Sequence, residues 1–209
     1  MTVPPSVAPP RAMVFDIGNV LVDWQPGRVY ADLIPDPEAR AAFFARVDMH
    51  GMNLAGDRNG DLAAEVEALA LRHPEDAVPI RAWRARWDEM FGPMMPGMET
   101  LFRAVKASGV PVAALTNFAA DTFLVAQARF PILAEFDVEV VSGREGTLKP
   151  EPRIYEIVEA RTGLSGPDLF FADDKPENVA AARARGWRGH VFEGAEGLAA
   201  AMRAAGFAV

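Results

Sequence analysis

Met13-Val14-Phe15-Asp16-Ile17-Gly18-Asn19-Val20-Leu21-Val22-Asp23-Trp24 is the stretch whose reading decides the fold. A short apolar run ends in the carboxylate of Asp16, and Gly18-Asn19 follows at once as a turn signal. An α/β chain presents a reactive group in this way, at the carboxyl end of a parallel strand, where open sheets hold their ligands. The strand reads from Ala12 to Asp16, and Gly18 to Pro26 reads as a loop or small hairpin.

Beyond it the texture changes. From Arg28 to Phe91 apolar residues recur at helical spacing: Val29 and Leu33, Phe43 and Val47, then Leu62, Val66 and Leu69. Breakers such as Pro35, Gly51, Gly60 and Pro74 separate them, so the segment predicts a small all-α insertion of three or four helices without a strand. From Pro96 helices and strands alternate. Helices are expected from Met98 to Ala107, Asp121 to Arg129, Pro152 to Arg161, Pro176 to Arg185 and Leu198 to Ala205. Strands are expected from Val110 to Leu115, Val138 to Val141, Leu169 to Ala172 and Gly189 to Phe192. Alternation of this kind implies right-handed crossovers and a parallel sheet covered on both faces. The expected fold class is α/β: a Rossmann-like parallel sheet core (residues 11–26 and 94–209) with an inserted small all-α cap (27–93), after a disordered lead-in (1–10).

Bulk properties agree with a soluble enzyme-sized chain. Half of the 209 residues are hydrophobic, enough for a sizeable core, and the net charge of −8 argues against nucleic acid or an anionic membrane as partner. With no cysteine, disulfides, thiolate metal sites and cysteine nucleophiles are excluded. A cytoplasmic monomer or homodimer acting on a small phosphorylated metabolite is the expectation.

The expected strand ends carry polar residues that suit one site: Asp16; Thr116 and Asn117; Lys149, which opens a helix with Pro150; and Asp173 with Asp174. Acidic side chains converging there would repel one another unless a hard divalent cation, Mg²⁺, bound their oxygens. Metal, lysine and hydroxyl or amide donors beside a carboxylate make a phosphoryl site in which Asp16 attacks phosphorus.

In this order the four motifs resemble those of the haloacid dehalogenase superfamily, over nearly the whole chain from Arg11. The resemblance implies Asp16 as nucleophile, Thr116 as the phosphate-binding hydroxyl, Lys149 as the family lysine, and Asp173 and Asp174 as the acidic metal-binding pair. It places a metal-ligating backbone carbonyl on Gly18. Phe15-Asp16-Ile17-Gly18-Asn19-Val20 is most similar to a phosphatase branch acting on small sugar phosphates. Most phosphatases of the superfamily carry a second Asp, the general acid, where this chain has Gly18. Asp23, Asn19 or a residue of the cap would then have to supply or orient the proton or water. Gly18 also leaves room for a catalytically quiet binding or regulatory protein. The remaining alternative is a 2-haloacid dehalogenase, in which the aspartate attacks carbon without a metal; Gly18 and the intact acidic pair count against it.

Other residues stay open at this level. Asn117 either contacts substrate or braces its loop, and Asn178 either braces the metal site or caps a helix. Trp83 and Trp87, four residues apart, read as a helix face in the core. Met94-Met95 is expected to pack where the cap rejoins the core. Trp24, in the loop after Asp16, is expected to face the entrance, and His50, Met52 and Asn53 lie near an expected helix end of the cap within reach of the site.

Overall fold

The structure, a computed structural model, describes residues 8–209. Its centre is β1 (Ala12–Phe15), whose residues are all buried. Met13 and Phe15 enter one apolar layer while Ala12 and Val14 enter another, as the two-residue period of a strand requires. Such a strand reads as continuously apolar because both of its faces are covered.

Four further strands complete the sheet: β4 (Val112–Thr116), β5 (Val138–Val141), β6 (Leu169–Asp173) and β7 (Arg188–Val191), in the order β5-β4-β1-β6-β7. All four pairings are parallel. On the face of Ala12 and Val14 lie α9 (Pro152–Thr162) and α10 (Pro176–Ala184), contributing Ile154, Tyr155, Val158 and Ala182. On the other face lie α6 (Met98–Ala107), α7 (Ala120–Arg129) and α11 (Ala195–Ala205), contributing Phe102, Phe123 and Leu198. The alternation of helix and strand expected after Pro96 is therefore present, and α6 spans the residues expected of it.

The insertion differs in detail. It holds five α-helices: α1 (Gly27–Leu33), α2 (Pro37–Val47), α3 (Met49–Asn59), α4 (Leu62–Arg72) and α5 (Ala77–Ala85). The expectation of three or four misses α3, which runs through Gly51 although that glycine reads as a breaker: Asp48, with a left-handed backbone (φ 57°), ends α2 while its carboxylate accepts from the Gly51 N–H and starts α3. The expectation of no strand also fails. β3 (Phe91–Met94) pairs antiparallel with β2 (Val22–Trp24), so the anticipated hairpin is closed by a strand from the far end of the insertion. Met95 continues this junction through its N–H to the Leu21 carbonyl, 2.8 Å.

Most of the lead-in expected over 1–10 lies outside the described residues. Its last residues are tied down: Arg188 donates to the Ala8 carbonyl, and Pro10 is buried. Among the described residues no helix is long and apolar enough to cross a membrane.

The insertion meets the sheet edge through close backbone contacts. A Cβ on Gly60, which has φ +82°, would stand 2.4 Å from the Gly143 carbonyl oxygen. Gly60→Ala should therefore cost about 1–3 kcal/mol, read as a lower urea midpoint. Gly146→Ala, with φ +70° but nothing within 4 Å, is the control for backbone strain alone and should cost about 1–2 kcal/mol.

Candidate active site

Three neighbouring strands deliver the site. β1 stops one residue before Asp16, whose N–H still donates to the Ala172 carbonyl of β6 at 2.9 Å. β4 ends on Thr116, and β6 on Asp173. Because β1 lies between β4 and β6, their carboxyl ends open at one place on the sheet edge.

Lys149 completes it from the loop between α8 (Ser142–Glu145) and α9. Its ammonium lies 2.7 Å from Asp16 Oδ1 and 2.7 Å from Asp173 Oδ2, with almost no solvent contact. Asp173 is wholly enclosed. Asn178 Nδ2 donates to both of its oxygens at 3.0 Å, and the Lys175 N–H donates to Oδ1 at 2.8 Å. Asn178 thus braces Asp173, which in turn fixes Lys149. Asn117 braces from the other side: Lys149 N–H donates to Asn117 Oδ1 (2.8 Å), and Asn117 Nδ2 donates to the Lys149 carbonyl (3.1 Å).

Electrostatics set the next requirement. Asp16, Asp173 and Asp174 offer carboxylate oxygens that all lie within 4.8 Å of one another. Burial pushes the Asp16 carboxyl up to about 6, against the pull of Lys149 and with Asp173 and Asp174 adding to the rise. Burial and then Asp173 likewise raise Asp174. For Lys149 burial works against the charge, but Asp16 and Asp173 outweigh it and raise the ammonium above its ordinary value. Three carboxylates against one close ammonium leave a buried negative excess. Oxygen donors with that excess fit a hard divalent cation. Asp173 spends its oxygens on Lys149, Asn178 and Lys175, which leaves Asp16 and Asp174 as the freer donors.

The site opens into a cavity of about 390 Å³ that Asp16, Gly18, Thr116, Asn117, Lys149 and Asp174 all line. Trp24, His50 and Asn53 line it too, so these open candidates reach the entrance; Met52 is buried in the core instead. Trp83 and Trp87 both belong to the core as expected; Trp87, which follows the end of α5, packs on Phe118 and also faces the cavity.

Leu54, Asp57, Phe118 and Lys175 also line the cavity and were not singled out by sequence. Asp57 is the notable one. It is 8% exposed, and burial pushes its carboxyl up to about 7 against the Ala119 N–H, Lys175, Asn53 and Lys149. In sequence it sits among Gly56, Arg58, Asn59 and Gly60, the polar end of a helix, with no local sign of burial.

Residues 10–186 match the haloacid dehalogenase-like hydrolase family, and the chain belongs to it. A sesquiterpene phosphatase, astK of Aspergillus oryzae, is 37% identical over 181 residues, covering 86% of this chain and 88% of that protein. Among solved structures, the HAD family enzyme bt-2542 of Bacteroides thetaiotaomicron superposes with a TM-score of 0.71 at 17% identity, covering 94% of this chain and all (100%) of that one. The L-2-haloacid dehalogenase of Xanthobacter autotrophicus gives 0.63 at 20% identity, over 86% of this chain and 76% of that one. At these identities the structures speak for the fold.

The charge arrangement predicts three outcomes. Lys149→Met, which strands buried carboxylates, should destabilise the metal-free protein by about 3–5 kcal/mol in chemical denaturation. Mg²⁺ should raise the Tm of the unaltered protein, with an increment that grows with the logarithm of its concentration above the dissociation constant. Asp174→Asn should raise the metal-free Tm by relieving repulsion and lose most of the Mg²⁺ increment.

Proposed function

We propose that this hydrolase is a Mg²⁺-dependent phosphomonoesterase that passes the phosphoryl group through Asp16. The observation that carries the reading is the buried Asp16–Lys149–Asp173 cluster with Asp174 beside it, open to one cavity. Asp16, Asp174 and the Gly18 carbonyl would hold the ion, with Asp173 behind them. When bound, Mg²⁺ supplies charge neutralisation at the phosphoryl oxygens.

The chain's own residues do the rest. Lys149 and Thr116 hold phosphoryl oxygens, and Lys149 keeps Asp16 ionised and oriented. An Asp16 oxygen bonds to phosphorus as the ester P–O bond breaks, giving an aspartyl-phosphate and a leaving-group oxygen that takes a proton from an acid in the site to become the alcohol. Water then attacks that phosphorus, the bond to Asp16 breaks, and phosphate leaves with the carboxylate restored. The helical insertion acts as a cap that restricts water during the first step.

For the organic part we favour an apolar or aromatic body. Trp24, Leu54, Trp87 and Phe118 face the cavity, while Asn53 already spends its amide on Trp83 and Asp57. The relative named as a sesquiterpene phosphatase supports the same direction. A sugar phosphate, the substrate class of the phosphatase branch that Phe15-Asp16-Ile17-Gly18-Asn19-Val20 resembles, matches that apolar lining less well.

A panel of aryl, prenyl and sugar phosphates, with Mg²⁺ or with a chelator, tests this. Turnover should require Mg²⁺, vanish in Asp16→Asn, and be highest in kcat/KM for aryl or prenyl esters. A sugar phosphate at the top would overturn the substrate class alone. Full activity of Asp16→Asn would overturn the mechanism. Halide release from 2-chloropropionate without metal would move the reaction to carbon.

A further inference from the structure

Gly18 leaves the phosphatase chemistry without a proton donor, and the structure narrows what can replace it. Asn19 is committed: its Oδ1 accepts from the Trp24 N–H at 3.0 Å and from Gln25 Nε2 at 3.4 Å. Asp23 is paired with Arg28. On the cavity wall formed by the insertion one carboxylate stands, that of Asp57 in α3. We propose that Asp57 gives the proton to the leaving-group oxygen and takes one from the hydrolytic water, a role that rests on the phosphomonoesterase reading above.

Geometry is the first support. In-line transfer places the leaving oxygen opposite the attacking Asp16 oxygen, hence away from the sheet and toward the insertion. Asp57 is fixed on that side. Oδ1 accepts from the Ala119 N–H (3.0 Å) and Oδ2 from Asn53 Nδ2 (2.9 Å). Trp83 Nε1 donates to Asn53 Oδ1 (3.0 Å) and so keeps the Asn53 amino group turned to Asp57. Ala119 follows Thr116 by three residues, so the loop that begins at the phosphate-binding hydroxyl also positions Asp57. Ser142 Oγ donates to the Asp57 carbonyl at 2.7 Å and holds the backbone as well.

Its surroundings suit proton exchange near neutral pH. Burial favours the neutral acid, while Lys175 and Lys149 from the core and the two hydrogen bonds favour the anion. Across the cavity stand Asp16 and Asp174, and His50 lines it from the same helix. A group balanced in this way is present in both protonation states at working pH, which acid–base catalysis needs.

The step balances. The Asp57 O–H bond breaks as the ester P–O bond breaks, giving a neutral alcohol, the aspartyl-phosphate on Asp16 and the Asp57 carboxylate. That carboxylate takes a proton from water as the water oxygen bonds to phosphorus and Asp16 is released, so Asp57 ends as the acid it began as.

The test compares hexyl phosphate, a poor leaving group, with para-nitrophenyl phosphate, a good one, in the Mg²⁺-loaded protein. Because kcat/KM reports the steps up to phosphoryl transfer onto Asp16, it reads the donor directly. Asp57→Asn should lower kcat/KM about 10²–10⁴-fold for hexyl phosphate and far less for para-nitrophenyl phosphate. In the unaltered protein an alkaline fall in kcat/KM should appear with hexyl phosphate, be weak with para-nitrophenyl phosphate, and disappear in Asp57→Asn. Equal losses on both esters with the alkaline fall retained would make Asp57 only a tie between α3 and the core and overturn the proposal. Transfer of the ester-selective loss to His50→Gln would overturn it in favour of His50. If Asp57→Asn does not fold, absence of any leaving-group difference in the alkaline limb of the unaltered protein overturns it alone. No turnover of either ester by the folded, Mg²⁺-loaded protein would fail the phosphomonoesterase reading and this proposal with it.

Discussion

One buried ammonium governs the site. Lys149 stands 2.7 Å from both Asp16 and Asp173 where water hardly reaches, and the arrangement exists only because β1 runs between β4 and β6. Removing a member of such a buried cluster exposes the desolvation that the others were offsetting. The supporting bonds follow the same logic. Asn178 and the Lys175 N–H saturate Asp173, Asn117 clamps the Lys149 backbone, and Asp174 is left facing the cavity. Structure and chemistry are the same constraint here: the negative excess of the carboxylate cluster, which Lys149 offsets only in part, is what suits it to a divalent cation.

The insertion supplies the opposite wall, and its attachment is polar as well as apolar. α3 touches the core through the Asp57 carboxylate at Ala119, the Asp57 carbonyl at Ser142 and Arg58 at Glu151. Glu151 also accepts from Thr147 at 2.8 Å, in the loop that carries Lys149. Displacing α3 from the sheet edge breaks these contacts together. These contacts join the α3 wall of the cavity to the loops that carry Thr116 and Lys149.

Much of this was legible in the chain, for identifiable reasons. Asp16, Thr116 and Asp173 each follow directly on a buried apolar run, so strand and strand-end residue are adjacent in sequence. The resemblance of the ordered motifs supplied Lys149 and the Gly18 carbonyl. β3 escaped because Phe91-Gly92-Pro93-Met94 holds two residues disfavoured in strands and pairs on one side with β2 alone. α3 escaped because Gly51 and Gly56 within it read as breakers, while the turn that starts it rests on a left-handed Asp48. Asp57 escaped because nothing next to it in the chain marks it as buried.

The sequence by itself determined the α/β core and the polar residues at the strand ends, and its resemblance to a family put Gly18 where most related phosphatases carry an acid. These depend on local patterns: apolar period, turn residues and motif order. Only the tertiary structure decided which groups are desolvated together. It set Asp173 to hold Lys149 rather than to face the cavity, gave Asn117 and Asn178 bracing roles, and brought Asp57 from α3 to the N-terminus of α7. Charge, burial and proton affinity at those positions arise from neighbours distant in sequence, so the chain order alone does not contain them.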